Sequence, residues 1–175
     1  TGDFKFGPTQ LLQPASIQFP RVETLIMEST YGGADNVTPD REETEAKFIE
    51  IANNVLEKGK LLIPVPAVGR SQEIMMVINK YMKEGKIKEV PVYLEGMISE
   101  VTGIHTAYPQ YLSNDIRDQI LRDGINPFES DYFTVVKQQD LREDIVNGGP
   151  AIIIATAGMM EGGPVIEYFK KLAYD

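Results

Sequence analysis

The densest apolar run in the chain is Ala151-Ile-Ile-Ile-Ala155, which has no polar alternation. Leu61-Leu-Ile63 repeats that pattern on a smaller scale. Such runs are expected of parallel strands covered on both faces, whereas a strand with one wet face alternates. A helical period follows the second run: Ile74, Val77, Ile78 and Tyr81 recur at i, i+3, i+4 and i+7, one apolar helix face. Pro64 and Pro66 close the strand, because neither can donate to a sheet ladder. Gly69-Arg70-Ser71-Gln72 then stands where the helix begins.

The same reading runs along the rest of the chain. Thr24-Leu-Ile-Met27 reads as another buried strand, ending in Glu28 and the loop Ser29-Thr-Tyr-Gly-Gly33. Thr38 suits an N-cap, Pro39 the first helical position, and Asp40, Glu42 and Glu43 the positive end of the helix dipole. Phe48, Ile51, Ala52 and Val55 would be the buried face of that helix, and Gly59 its end. Strands are expected over 90–94 and 132–136, and helices near 97–108, from Ser113 to Leu121, over 139–146 and over 164–172.

Strands and helices alternating in this way predict an α/β fold, a mostly parallel sheet with helices on both faces. Loops 28–33, 64–72 and 156–163 would then meet at the carboxyl edge of the sheet, where ligands of open α/β sheets bind. At Gly69–Gln72, free amides and the dipole's positive end converge beside a guanidinium and a hydroxyl, which suits a phosphate. The plainer alternative is that Arg70 pairs with a surface carboxylate and Ser71 caps the helix.

Composition narrows the chemistry. The 175 residues include no cysteine and one histidine. Disulfides and thiolate metal sites are excluded, and a self-contained zinc or di-iron site lacks its imidazoles. No apolar run approaches the ~20 residues of a membrane span, so no membrane partner is expected, and a cysteine-free chain suits the cytoplasm. His105 falls in a predicted helix and reads as a packed or surface residue. The net charge of −9 weighs against broad polyanion binding. Any contact with nucleic acid must be local, or shared with another domain.

Four stretches, in this order, resemble a known family: Thr1-Gly-Asp-Phe4, Met27-Glu-Ser-Thr-Tyr-Gly32, Ile63-Pro-Val-Pro-Ala-Val-Gly-Arg-Ser-Gln-Glu73 and Ala155-Thr-Ala-Gly-Met-Met160. They are similar to metallo-β-lactamase/β-CASP ribonucleases, and most of all to the archaeal members of the cleavage and polyadenylation specificity factor group. The resemblance implies residues 1–30 as the C-terminal edge of a metallo-β-lactamase half and 31–175 as a β-CASP domain lying over its cleft. It implies Asp3 as a carboxylate bridging two zinc ions, and Glu28 as the acid beside the metals that hydrogen-bonds a catalytic histidine. By the same resemblance Thr30, Tyr31, Arg70, Ser71, Ala157 and Gly158 would line the cleft and hold the RNA backbone.

The family's histidine-rich metal motif is absent from these residues, as are its later histidine motifs. The expectation is therefore an excised portion that by itself neither holds zinc well nor cleaves RNA. Its partners would be RNA, the missing metallo-β-lactamase half and, for the intact parent, a second copy of itself. Two other readings compete with a zinc-dependent ribonuclease of RNA 3′-end processing or decay. One is a non-catalytic scaffold subunit of an RNA-processing complex. The other is a stand-alone nucleotide-binding domain, which would need the Gly-x-Gly-x-x-Gly fingerprint this chain lacks.

Overall fold

The structure is a computed structural model that describes residues 2–7 and 9–173. Its centre is β4 (Ala151–Ala155), buried at all five positions. β4 pairs in parallel with β1 (Lys60–Pro64) on one side and β2 (Val92–Glu95) on the other; β3 (Phe133–Val135) lies beyond β2, giving the order β1-β4-β2-β3. Register places Leu62 and Tyr93 on either side of Ile153.

The two-residue period of β4 divides the interior into two cores. Ile152 and Ile154 face the larger one, with Leu56 of α1 (Arg41–Leu56), Met75 and Ile78 of α2 (Arg70–Lys83), Ile98 of α3 (Ile98–Ala107) and Ile116 of α4 (Asn114–Leu121). Ile153 and Ala155 face the smaller one, with Ile145 of α5 (Leu141–Asn147) and Val165 and Tyr168 of α6 (Pro164–Leu172). Each buried isoleucine contributes about 1.5–3 kcal/mol of burial free energy. The expected parallel α/β sheet, covered on both faces, is the fold of this chain.

Two expectations are corrected. Residues 24–28 join none of the four paired strands, and Leu25, Ile26 and Met27 are 54%, 81% and 48% exposed. An apolar run becomes a buried strand only where a ladder and a covering layer meet it, and β1–β4 with their helices are complete without it. The cap of α1 is Asp40 rather than Thr38: the Glu42 amide donates to the Asp40 carboxylate at 2.8 Å. The inner face of this helix is Ala52 and Leu56, with Phe48 and Ile49 packed on the core, Val55 half-buried and Ile51 turned outward.

Leu11 fastens the N-terminal segment to the domain. Leu11 is buried, and its amide donates to Glu73 Oε1 at 2.7 Å. The Ser113 amide donates to the Leu11 carbonyl at 2.8 Å, and the Ser113 hydroxyl to the Gln10 carbonyl at 2.7 Å. Ser113 also caps α4, as expected, by accepting from the Ile116 amide. The second oxygen of Glu73 takes Arg41 of α1 at 3.2 Å.

Candidate nucleic-acid interface

Parallel strands deliver their C-terminal ends to one edge, so the segments after β1, β2 and β4 emerge together. Backbone packing there is close enough to require glycine. A Cβ on Gly158 would lie 2.7 Å from Pro66 Cδ and 2.8 Å from Pro66 N, so the loop after β4 rests directly on the loop after β1. Gly96 has φ +93, and a Cβ on it would lie 2.0 Å from Thr156 Oγ1, which brings the segment after β2 into the same contact. The β4–α6 loop also folds back on its own helix: the Val165 amide donates to the Thr156 carbonyl at 2.9 Å and the Ala157 amide to the Gly162 carbonyl at 3.2 Å. The Thr156–Ala157 peptide is cis.

Arg70 opens α2 on this rim. Its side chain is exposed, and among the described residues its guanidinium makes no hydrogen bond or ion pair. In the loop after β4 Ala157 is exposed, and Gly158 is half-buried against Pro66 of the β1–α2 loop. Ser71 departs from the expectation of a cleft-lining hydroxyl. It is fully buried and donates to the Ala67 carbonyl at 2.7 Å. Gln72, also fully buried, accepts from the Gly69 amide at 2.8 Å and donates to Ala67 O and Thr102 Oγ1. These two side chains lock the β1–α2 turn from within, so the rim is rigid where Arg70 leaves it.

The other expected site residues lie on the N-terminal segment. The Thr30 amide donates to Glu28 Oε2 at 2.8 Å. With the Thr30 hydroxyl and the Phe4 amide it holds the Glu28 carboxyl below its ordinary value of 4.5. Thr30 and Tyr31 are exposed, Tyr31 at 81%. No hydrogen bond or ion pair among the described residues joins Arg70 to Glu28. Of the three expected loops, 64–72 and 156–163 meet in the Gly158–Pro66 contact, whereas 28–31 lies on the N-terminal segment, where Thr30 holds Glu28.

A buried ionic cluster at the same edge escaped the sequence reading. Glu95, the last residue of β2, is 6% exposed. Arg142 of α5 donates to its Oε1 through both Nε (2.8 Å) and a terminal nitrogen, and the Tyr168 hydroxyl of α6 donates to its Oε2 at 2.6 Å. Burial first, and then the bond to Glu95, raises the Tyr168 phenol far above its ordinary value; Glu95 likewise raises Arg142. One signal for Glu95 was present: an acid ending a buried strand before a glycine, the same reasoning applied to Glu28.

A family model described as "Beta-Casp domain" matches residues 71–175. This chain belongs to the β-CASP family. It is 56% identical over 177 residues to the transcription termination factor FttA of Pyrococcus horikoshii, and 57% identical over 177 residues to that of Thermococcus kodakarensis. The identity to the FttA of Cenarchaeum symbiosum is 54% over 175 residues. These matches cover 99–100% of the chain but 27% of each relative, so this β-CASP chain spans about a quarter of their length. No helix among the described residues is long and apolar enough to cross a membrane.

Proposed function

We propose that this chain is the RNA-gripping β-CASP portion of a longer, zinc-dependent ribonuclease that acts in transcription termination. The observation that supports this best is the rim, where Gly158 pressed on Pro66 joins two loops and the β1–α2 loop ends in Arg70, exposed and, among the described residues, without a partner for its guanidinium. A guanidinium carried on a held turn suits the non-bridging oxygens of a phosphodiester, and the small residues 157–158 let a sugar–phosphate chain approach the backbone. The relatives' name, transcription termination factor, supplies termination, and the family resemblance supplies RNA cleavage.

Zinc does not fit these residues by themselves. Among the described residues, no three of His, Cys, Asp or Glu gather to hold a metal ion. Asp3 offers one carboxylate, and the remaining ligands would come from the rest of the longer protein. There the metal would supply Lewis acidity and an activated water. The part of this chain is to bind the RNA backbone through Arg70, and to hold an ionised Glu28 where it can orient an imidazole.

The test uses the full-length protein and a labelled single-stranded RNA. Arg70→Ala is expected to weaken RNA binding by about 1–3 kcal/mol, the loss of one charge-assisted phosphate contact. Glu28→Gln is expected to lower turnover while binding stays within about twofold of the parent. Chelation should abolish cleavage and added zinc restore it. Unchanged binding and turnover in Arg70→Ala would return Arg70 to a structural role, and cleavage that survives chelation would remove zinc from the mechanism.

A further inference from the structure

The rim presents more than Arg70. Val68, Met97 and Met159 are 68%, 65% and 83% exposed, and each comes from a different one of the three segments that abut there. Val68 stands two residues after Pro66, Met159 directly after Gly158 and Met97 directly after Gly96, the residues whose contacts join the segments. Single apolar side chains on a surface need no explanation, but three on interlocked loops form a patch.

Unusual backbone holds two of the three outward. Gly69 has φ 78 and ψ −63, and the Arg70 amide donates to the Val68 carbonyl at 2.9 Å. This is a γ-turn of the positive-φ kind, the rarer and more strained of the two. The buried Gln72 side chain fixes it by accepting from the Gly69 amide at 2.8 Å. Val68 and Arg70 therefore leave one three-residue turn together. Met160 has φ 56, uncommon for a residue with a side chain, and packs on the smaller core while Met159 stays outside.

Charge around the patch is one-sided. Arg70 is the one charged residue in 64–70, 96–98 and 156–160, in a chain with 26 acidic residues. Glu95, just before Gly96, is buried and spends its two oxygens on Arg142 and Tyr168. Exposed acids begin only beyond these stretches, at Glu100 and Glu161.

A nucleic acid alternates anionic phosphates with flat apolar bases, and a base offers its face to a protein only where it is unpaired. Thioethers are polarizable and pack well against aromatic rings. Resting on the rim as an RNA-binding surface, we propose that Val68, Met97 and Met159 pack against unpaired bases of the strand whose phosphate Arg70 holds. The cation then supplies attraction to any phosphate, and the apolar trio supplies selection for bases that are free to lie on it.

Fluorescence anisotropy of the full-length protein tests this with two labelled probes of equal length, an oligoadenylate and a ribose–phosphate chain without bases. Salt is kept low enough for the abasic chain to bind. Met97→Ser with Met159→Ser is expected to weaken oligoadenylate binding about fivefold or more and abasic binding less than about twofold. Val68→Ser is expected to act in the same sense, and Arg70→Ala to weaken both probes. Equal losses on the two probes, or oligoadenylate binding indifferent to the serine variants, would overturn the proposal. If Arg70→Ala still weakens binding in that case, only the base contact falls; if it too is silent, the RNA reading of the rim falls with it. A lowered melting temperature or altered oligomeric state in the serine variants, with RNA affinity unchanged, would show that protein covers the patch and would equally overturn the proposal.

Discussion

Glu95 carries a carboxylate into the interior and uses both of its oxygens there, one on Arg142 and one on Tyr168. A buried carboxylate that loses its cation costs more than the pair contributed when intact. Arg142→Ala is therefore expected to destabilise the protein by about 3–5 kcal/mol. Tyr168→Phe, which leaves a single acceptor unmet, is expected to cost about 1–3 kcal/mol. Chemical denaturation of both variants checks the order as well as the sizes, and equal losses would contradict it. Glu28 is the half-buried counterpart. Its folded-state pKa is depressed by Thr30 and Phe4, so what it contributes to stability is fully present above its ordinary value of 4.5 and is lost as pH falls through the lower folded value. An NMR titration of the Glu28 carboxyl in Thr30→Val is expected to show its midpoint rising toward 4.5, since the hydroxyl bond is gone and the amide bond remains.

Among the elements, two glycines make opposite predictions from one substitution. Gly158→Ala drives a methyl into Pro66 and parts the loops after β1 and β4; it is expected to cost about 1–3 kcal/mol and to weaken RNA binding with it. Gly103→Ala meets open space in the middle of α3 and is expected to be neutral or to stabilise by up to about 1 kcal/mol. Thermal melts of the two variants, with RNA affinity measured alongside, separate a packing glycine from a vacant one. The elements themselves were largely legible in the sequence. β4 announced itself by five apolar residues, α2 by its i, i+3, i+4, i+7 face, and α4 by Ser113. Residues 24–28 misled because an apolar run records a side chain's preference for burial but says nothing of the ladder that must receive its backbone. Ser71 misled for a related reason: a hydroxyl at a helix start can face a ligand or close the turn beneath it, and only the position of the Ala67 carbonyl decides. The Glu95–Arg142–Tyr168 cluster joins residues from three separate elements, and no local pattern encodes such a meeting.

For the whole molecule, Glu73 is where the N-terminal segment, α1 and α2 are joined. Glu73→Ala should release Leu11 and Arg41 together. Limited proteolysis is expected to cut residues 5–20 faster while the sheet stays intact, and an unchanged cleavage rate would mean that Ser113 alone secures the segment. The strand order has a consequence of another kind, in the timing of assembly. β1 and β2 are both synthesised early, yet they never touch, because the last strand of the four lies between them. On the ribosome β2 finds β3 once residues 133–135 emerge, but β1 has no permanent neighbour until residues 151–155 slot into the gap, so the nascent β1 and the inner edge of β2 depend on helices, or on a chaperone, to keep from pairing elsewhere.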